Sequence, residues 1–311
     1  MTKIAIRDAF GAALEKLGHE NTKVVALEAD LGASTKSGVF GKSFPDRYFN
    51  VGIAELNMVA MAAGMAASGL IPYVNTFASF MTTRGGDPIN SLIGYDSLNV
   101  KICSTYCGMS DSYDGASHHA NTDLAFVRAI PNMTIISVCD AIETEKAVFA
   151  SAEIDGPVYL RLSRATAPVI FDESYDFQVG KGVQLREGSD VALIATGYMV
   201  HKALEAAEKL AAQGISAAVV DIHTIKPIDR ELIVRVAGSC GAVVTAEEHS
   251  IYGGLGSAVS EVLAEELPTP MAFVGARQYA ESGAYEALLT KYGQDADAIV
   301  SKALEVLKKK K

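Results

Sequence analysis

The sequence predicts an α/β protein of two domains, each a mainly parallel sheet flanked by helices. Three observations carry that reading. Apolar, β-branched runs of about five to eight residues recur along the chain, and longer segments of helical period separate them. The rhythm breaks once, after residue 168. A length of 311 residues is enough for two domains of about 150 each. Alternating strand and helix signals are the mark of parallel strands joined by crossover helices.

In the first domain, residues 1–168, strands are expected near Lys23–Leu27, Tyr48–Gly52, Pro72–Thr76, Asn99–Thr105, Thr134–Val138 and Val158–Leu162. A helix from about Glu55 to Ser68 is rich in Ala, Gly and Met and nearly uncharged, which predicts burial on all sides. Residues 169–188 read as a linker: Pro168 precedes them, acidic residues follow, and Gly180-Lys-Gly182 makes a turn. The second domain, residues 189–311, repeats the pattern with strands at Asp190–Thr196, Ala217–Ile222 and Ala242–Glu247 and a helix at Met199–Gln213. Tyr252-Gly-Gly-Leu-Gly256 lacks the third glycine and acidic partner of a dinucleotide fingerprint and reads as the start of a helix. The terminal Lys308 to Lys311 run suits a solvated helix C-terminus.

Composition narrows the function. The chain is 49% hydrophobic and 21% charged, which excludes disorder. With 27 basic and 37 acidic residues its net charge is −10, so nucleic acid is not an expected partner. No apolar run reaches the roughly 18 residues of a membrane span, and the N-terminus lacks a signal peptide's apolar core. A soluble, cytoplasmic protein is expected. Cys103, Cys107, Cys139 and Cys240 follow no metal or disulfide spacing and are expected to be reduced and buried. No metal site is expected on this chain.

Four places carry candidate chemistry. Glu55, in Asn50-Val-Gly-Ile-Ala-Glu55, sits in the first turn of the apolar helix, beyond the carboxyl end of a strand. Any acid is favoured at a helix N-terminus. Buried among apolar neighbours, however, this one must be hydrogen-bonded or protonated, and a protonated carboxyl can donate to a heteroaromatic nitrogen. Phe77 and Phe80, three residues apart at a strand–helix junction, fit either a core or a wall against a flat ligand. The polar segment Ser110 to Asp123 holds Asp114, His118 and His119 and suits a polyhydroxylated substrate; alternatively it is a turn capped by Asn121 or Thr122. A metal there is disfavoured because adjacent histidines do not face one point.

Leu27-Glu-Ala-Asp30-Leu31, Val51-Gly-Ile-Ala-Glu55, Thr76-Phe77-Ala-Ser-Phe80, Asp114-Gly-Ala-Ser-His118 and Leu162-Ser-Arg164 together resemble the C-terminal half of transketolase, in order and separation. The resemblance implies a pyrimidine-binding domain followed by the transketolase C-terminal domain. It implies that Glu55 donates to N1′ of thiamine diphosphate, with Phe77 and Phe80 walling the pyrimidine and Asp30 contributing to cofactor binding. Thr83 stands where the family carries a tyrosine. By the same matching Asp114 and His118 bind sugar hydroxyls, His118 near the reacting carbon, while Arg7, Ser34 and Arg164 hold the distal phosphate. Tyr106 replaces a histidine of that group, which leaves room for another anionic tail such as a sulfonate.

The family grips the diphosphate and its Mg²⁺ or Ca²⁺ through a Gly-Asp-Gly motif, which this sequence lacks. The resemblance therefore implies the small subunit of a split transketolase, an α2β2 assembly completed by an N-terminal partner. Two alternatives share the architecture: the β subunit of a 2-oxo-acid dehydrogenase, and a non-catalytic relative. Asp114, His118 and Arg164 favour a sugar over the first, and the presence of Glu55 opposes the second.

Overall fold

The computed structural model describes residues 2–310. Its larger sheet has seven strands, ordered Thr224–Lys226, Thr134–Ser137, Val158–Leu162, Lys101–Thr105, Ile71–Phe77, Val24–Glu28 and Tyr48–Asn50. All run parallel except Thr224–Lys226, which is antiparallel to its neighbour. The second sheet runs Met271–Ala276, Val243–Ser250, Val191–Ala195, Ala217–Asp221 and Val183–Arg186, the last again antiparallel. This is the expected fold class. Central strands such as Val24–Glu28 and Val158–Leu162 are buried along their whole length, as parallel strands covered on both faces must be.

Five strands were not anticipated: Val183–Arg186, which falls in the expected linker, Met271–Ala276 at the edge of the second sheet, and three strands of three residues each. Lys3–Ala5 pairs antiparallel with Thr166–Pro168, and the Ile6 amide donates to the Ala165 carbonyl. Thr224–Lys226 leaves the second half of the chain to extend the first sheet, and Lys226 donates to the carbonyls of Arg128 and Ile130. Three residues are too few for periodicity to show, and each of these strands exists only through its partner.

The apolar helix is observed as Glu55–Ala67, and burial on all sides is corrected. Met58, Val59, Ala62 and Ala63 pack on the core, but Leu56 is 56% exposed, Gly64 is open, and Ile53 just before the helix is 74% exposed. An apolar sequence specifies a face that avoids water; it does not specify that this chain supplies the cover. The expected cap on the Asp123–Arg128 helix also fails, since Thr122 makes no side-chain capping bond and the Asn121 amide has no partner. The Tyr252-to-Gly256 loop does open a helix, Leu255–Glu266. Lys308 to Lys310 follow the Ala296–Leu307 helix at the surface, and Lys311 lies outside the described residues. All four cysteines are free and buried.

A buried guanidinium joins the two sheets. Arg161 Nε donates to Asp123 Oδ2 at 2.7 Å, and its Nη2 reaches Asp123 Oδ1, the Ala120 carbonyl and the Glu248 carbonyl. The Glu248 carboxylate, from the second sheet, accepts from the Met109 amide at 2.7 Å and the Tyr285 hydroxyl at 2.8 Å. Burial pushes Glu248 from its ordinary value of 4.5 up to about 7, against the opposing pull of Arg161 and these two donors. A carboxyl raised on folding contributes stability that is complete below its unfolded value and is lost as pH rises through its folded one. Glu248→Gln therefore gains stability relative to the parent between pH 5 and 8, read by urea denaturation across that window. A difference that is flat with pH contradicts this.

Candidate functional site

Five of the candidate segments leave the carboxyl ends of neighbouring parallel strands, the edge where open α/β sheets build their sites. Asp30 follows Val24–Glu28, Glu55 follows Tyr48–Asn50, Phe77 ends its strand, Tyr106 follows Lys101–Thr105, and Arg164 follows Val158–Leu162. Arg7 arrives by a different route. The Lys3–Ala5 pairing with Thr166–Pro168 sets the first turn of the Ile6–Glu20 helix beside the Arg164 segment.

Contacts run unbroken across this edge. Glu55 is 3% exposed, and its Oε1 accepts from Arg84 Nη1 at 3.3 Å. Of the two outcomes open to a buried acid, hydrogen-bonded or protonated, the chain by itself shows the first. The Arg84 guanidinium also lies 4.2 Å from the centre of the Phe80 ring, the face a flat ligand would use. Phe80 stacks with Phe77 at 5.7 Å, and Phe77 stacks with Tyr106 at 4.0 Å. His118 meets Phe80 edge-on at 5.0 Å, and its Nδ1 lies 2.9 Å from the Ser117 hydroxyl.

Beyond Tyr106 the site becomes cationic. Arg7 Nη1 donates to the Tyr106 hydroxyl and, at 3.1 Å, to the Ser34 carbonyl, while its buried Nε has no partner. Arg164 lies 5.6 Å from the Tyr106 ring centre and donates from Nη1 to the Ser112 hydroxyl at 3.4 Å. Tyr106 is thus the hub between the aromatic wall and both arginines. It holds a backbone φ of 58°, a conformation that side chains rarely adopt.

Asp30 stands apart. Its Oδ1 accepts from Asn50 at 3.3 Å, and it lines a separate cleft with Glu28, Lys36, Lys42 and Tyr48. It too has a left-handed backbone, φ 60°. No side-chain hydrogen bond or ion pair joins it to the Glu55-to-Arg164 cluster among the described residues.

The polar loop contributed a residue that sequence reasoning missed. Asp111 is 3% exposed, and a carboxylate oxygen of Asp111, one of Asp114 and a ring nitrogen of His118 lie within 4.8 Å of one another. Nothing in a run of polar residues marks which aspartate turns inward. The loop is held from behind at Gly108, whose φ is +60° and whose absent side chain makes room for Glu248: a Cβ there would lie 2.3 Å from Glu248 Cγ.

Residues 2–169 match the family model for the transketolase pyrimidine-binding domain, and residues 180–299 match the model for the transketolase C-terminal domain. The chain belongs to the transketolase family. Within it, the chain corresponds to the C-terminal section found as a separate polypeptide in split forms. A protein of Methanocaldococcus jannaschii, provisionally named a transketolase C-terminal section, is 42% identical over 98% of this chain and 96% of its own. A 6-deoxy-6-sulfo-D-fructose transketolase subunit of a Clostridium species is 41% identical over 98% and 95%. A solved split-gene transketolase, described as an inactive β4 tetramer, is 48% identical, covers both chains completely and superimposes with a TM-score of 0.92. Matched human transketolase is longer, and the chain spans 48% of it.

Gly108→Ala forces a left-handed alanine against Glu248, and we expect a loss of about 2–4 kcal/mol from backbone strain and overpacking together. Denaturation midpoints measure it. A change within about 0.5 kcal/mol shows that the loop is not packed on the second sheet as described.

Proposed function

We propose that this chain is the C-terminal subunit of a split transketolase that depends on thiamine diphosphate and moves a two-carbon ketol unit from a ketose to an aldose. The observation that carries the reading is Glu55, a buried carboxyl at the carboxyl edge of a parallel sheet, joined through Arg84 to the Phe80 ring and through that ring to Phe77. The unpartnered buried hydroxyls of Thr76 and Ser79, beside those rings in sequence, add polar capacity to the same edge. Family membership implies the cofactor, and these residues fit its pyrimidine half. When bound, thiamine diphosphate supplies the carbanion chemistry.

In this reading Glu55 would hold the pyrimidine by donating from its carboxyl to a ring nitrogen, a role that needs an acid kept neutral in a dry site. Arg84 engages Oε1, which leaves Oε2 for that bond. Phe77 and Phe80 hold the ring, and Asp30 contributes from the neighbouring cleft. His118 and Asp114 take the sugar hydroxyls beside the reacting carbon. Arg7, Arg164, Ser34 and Tyr106 take the substrate's far end, where forked guanidinium donors suit a phosphate or a sulfonate.

The diphosphate and its Mg²⁺ or Ca²⁺ belong to a partner chain bearing Gly-Asp-Gly, in an α2β2 assembly. The open apolar face at Ile53, Leu56 and Gly64, on the very helix that carries Glu55, supports a covering chain. Residues 1–168 are assigned to the pyrimidine-binding unit and 189–311 to the C-terminal unit, with 169–188 joining them and lending the edge strand Val183–Arg186 to the second sheet. Four reduced cysteines accord with the cytoplasm, and no helix among the described residues is long and apolar enough to cross a membrane.

The test is two-carbon transfer by the chain reconstituted with such a partner, measured beside oxo-acid decarboxylation. Ketol transfer is expected, and decarboxylation alone overturns the proposal. Glu55→Gln is expected to assemble normally and lose about 10²–10⁴-fold in turnover. Near-parental rates in that variant contradict the role of Glu55.

A further inference from the structure

Asp111 is placed where an acid is least expected in an anion-binding corner. Its neighbours on either side both touch Arg164: the Arg164 amide donates to the Ser110 hydroxyl at 3.2 Å, and Nη1 donates to the Ser112 hydroxyl at 3.4 Å. The Asp111 carboxyl is itself buried, one of its oxygens lies within 4.8 Å of ligand atoms of Asp114 and His118, and Arg164 and Arg7 act on it electrostatically. Its Oδ2 is buried without a partner. The charged and titratable groups facing it are Asp114 and His118 from its own loop, Arg164 from the loop after Val158–Leu162, and Arg7 from the Ile6–Glu20 helix.

We propose that Asp111 sets the charge of the substrate tail, so that the site disfavours a doubly charged phosphate ester and favours a singly charged or uncharged tail. This rests on the reading of Arg7 and Arg164 as the tail-binding pair. An ionised Asp111 cancels one of the two guanidinium charges and repels a dianion across a poorly hydrated gap. A dianion binds well only with a proton on Asp111. A sulfonate, with one charge, and a hydroxyl, with none, suffer less. Tyr106 acts in the same direction by occupying an Arg7 donor.

The titration of Asp111 falls in a measurable range. Burial and the adjacent Asp114 push it from its ordinary 3.8 to about 7, and the arginines only partly oppose this. The penalty on a dianion therefore grows as pH rises through 7. A phosphate ester is already dianionic above about pH 6, whereas a sulfonate keeps one charge throughout.

The experiment uses the chain reconstituted with its N-terminal partner and three hexuloses that differ only at carbon 6: phosphate, sulfonate and hydroxyl. kcat/KM is measured for each at pH 6.5, 7.5 and 8.5. For the parent, the phosphate-to-sulfonate ratio is expected to fall about tenfold across this range, the equivalent of one unit of coupling. For Asp111→Asn the ratio is expected to stay flat and, at pH 8.5, to exceed the parent's about tenfold, chiefly through KM. Asp111→Ser gives the same reading should the asparagine variant fail to assemble. A ratio that tracks the parent's at every pH in the variant overturns the inference. Arg164→Ala separates it from the reading beneath it. If that variant leaves KM for both charged tails unchanged, the tail site itself is wrong; if it raises both while Asp111→Asn does nothing, only the role of Asp111 falls.

Discussion

A carboxyl withdrawn from water at the edge of an apolar helix is the constraint on which this structure turns. Glu55 opens Glu55–Ala67 with no side-chain cap ahead of it, and its one charged partner is Arg84, which is itself half exposed. A buried acid needs either a counter-charge or a proton. Arg84 supplies the counter-charge in the chain alone, and a carboxyl that carried its own proton would instead seek an acceptor such as a heteroaromatic nitrogen. The same helix turns Ile53, Leu56 and Gly64 outward, so the element that fixes the acid also presents the surface for a covering chain.

The rest of the molecule serves to converge distant segments on that edge. Parallel strands bring Glu55, Phe77, Tyr106 and Arg164 to one rim, and the Lys3–Ala5 pairing with Thr166–Pro168 delivers Arg7 from the start of the chain. The second sheet acts at a distance. Glu248 and the Arg161–Asp123 pair clamp both ends of the loop that carries Asp111, Asp114 and His118. Removing one partner from a buried pair of this kind is costly, because the other charge is stranded. The second half of the chain thus helps to fix the loop that the first half presents at its sheet edge.

Sequence periodicity was enough for the five central parallel strands of the first domain because each is a four- to seven-residue apolar run that is almost wholly buried, and those properties are local; the sixth, Tyr48–Asn50, is a three-residue, partly exposed edge strand. It did not reveal Lys3–Ala5, Thr166–Pro168 or Thr224–Lys226, whose pairing is tertiary, nor the edge strands Val183–Arg186 and Met271–Ala276 of the second sheet. It also could not say what covers an apolar helix, so full burial of Glu55–Ala67 was expected where one face is open. In the site, Glu55, Phe77, Phe80 and His118 were legible from residue type and place in the sequence, and Tyr106, Arg7 and Arg164 only through the family resemblance; all seven come together in one contact chain. Asp30 was legible but sits in an adjoining cleft. Asp111 was not legible: in a loop of Ser, Asp and Tyr, inward and outward aspartates have the same spelling, and only the fold buries one of them among cations.

The most direct measurement is calorimetric titration of thiamine diphosphate with Mg²⁺ into the isolated chain and into the chain combined with a Gly-Asp-Gly-bearing partner. Saturable, tight binding in the two-chain complex and none in the isolated chain is the predicted result. Equally tight binding by the isolated chain contradicts the account, because a single polypeptide would then hold both halves of the cofactor.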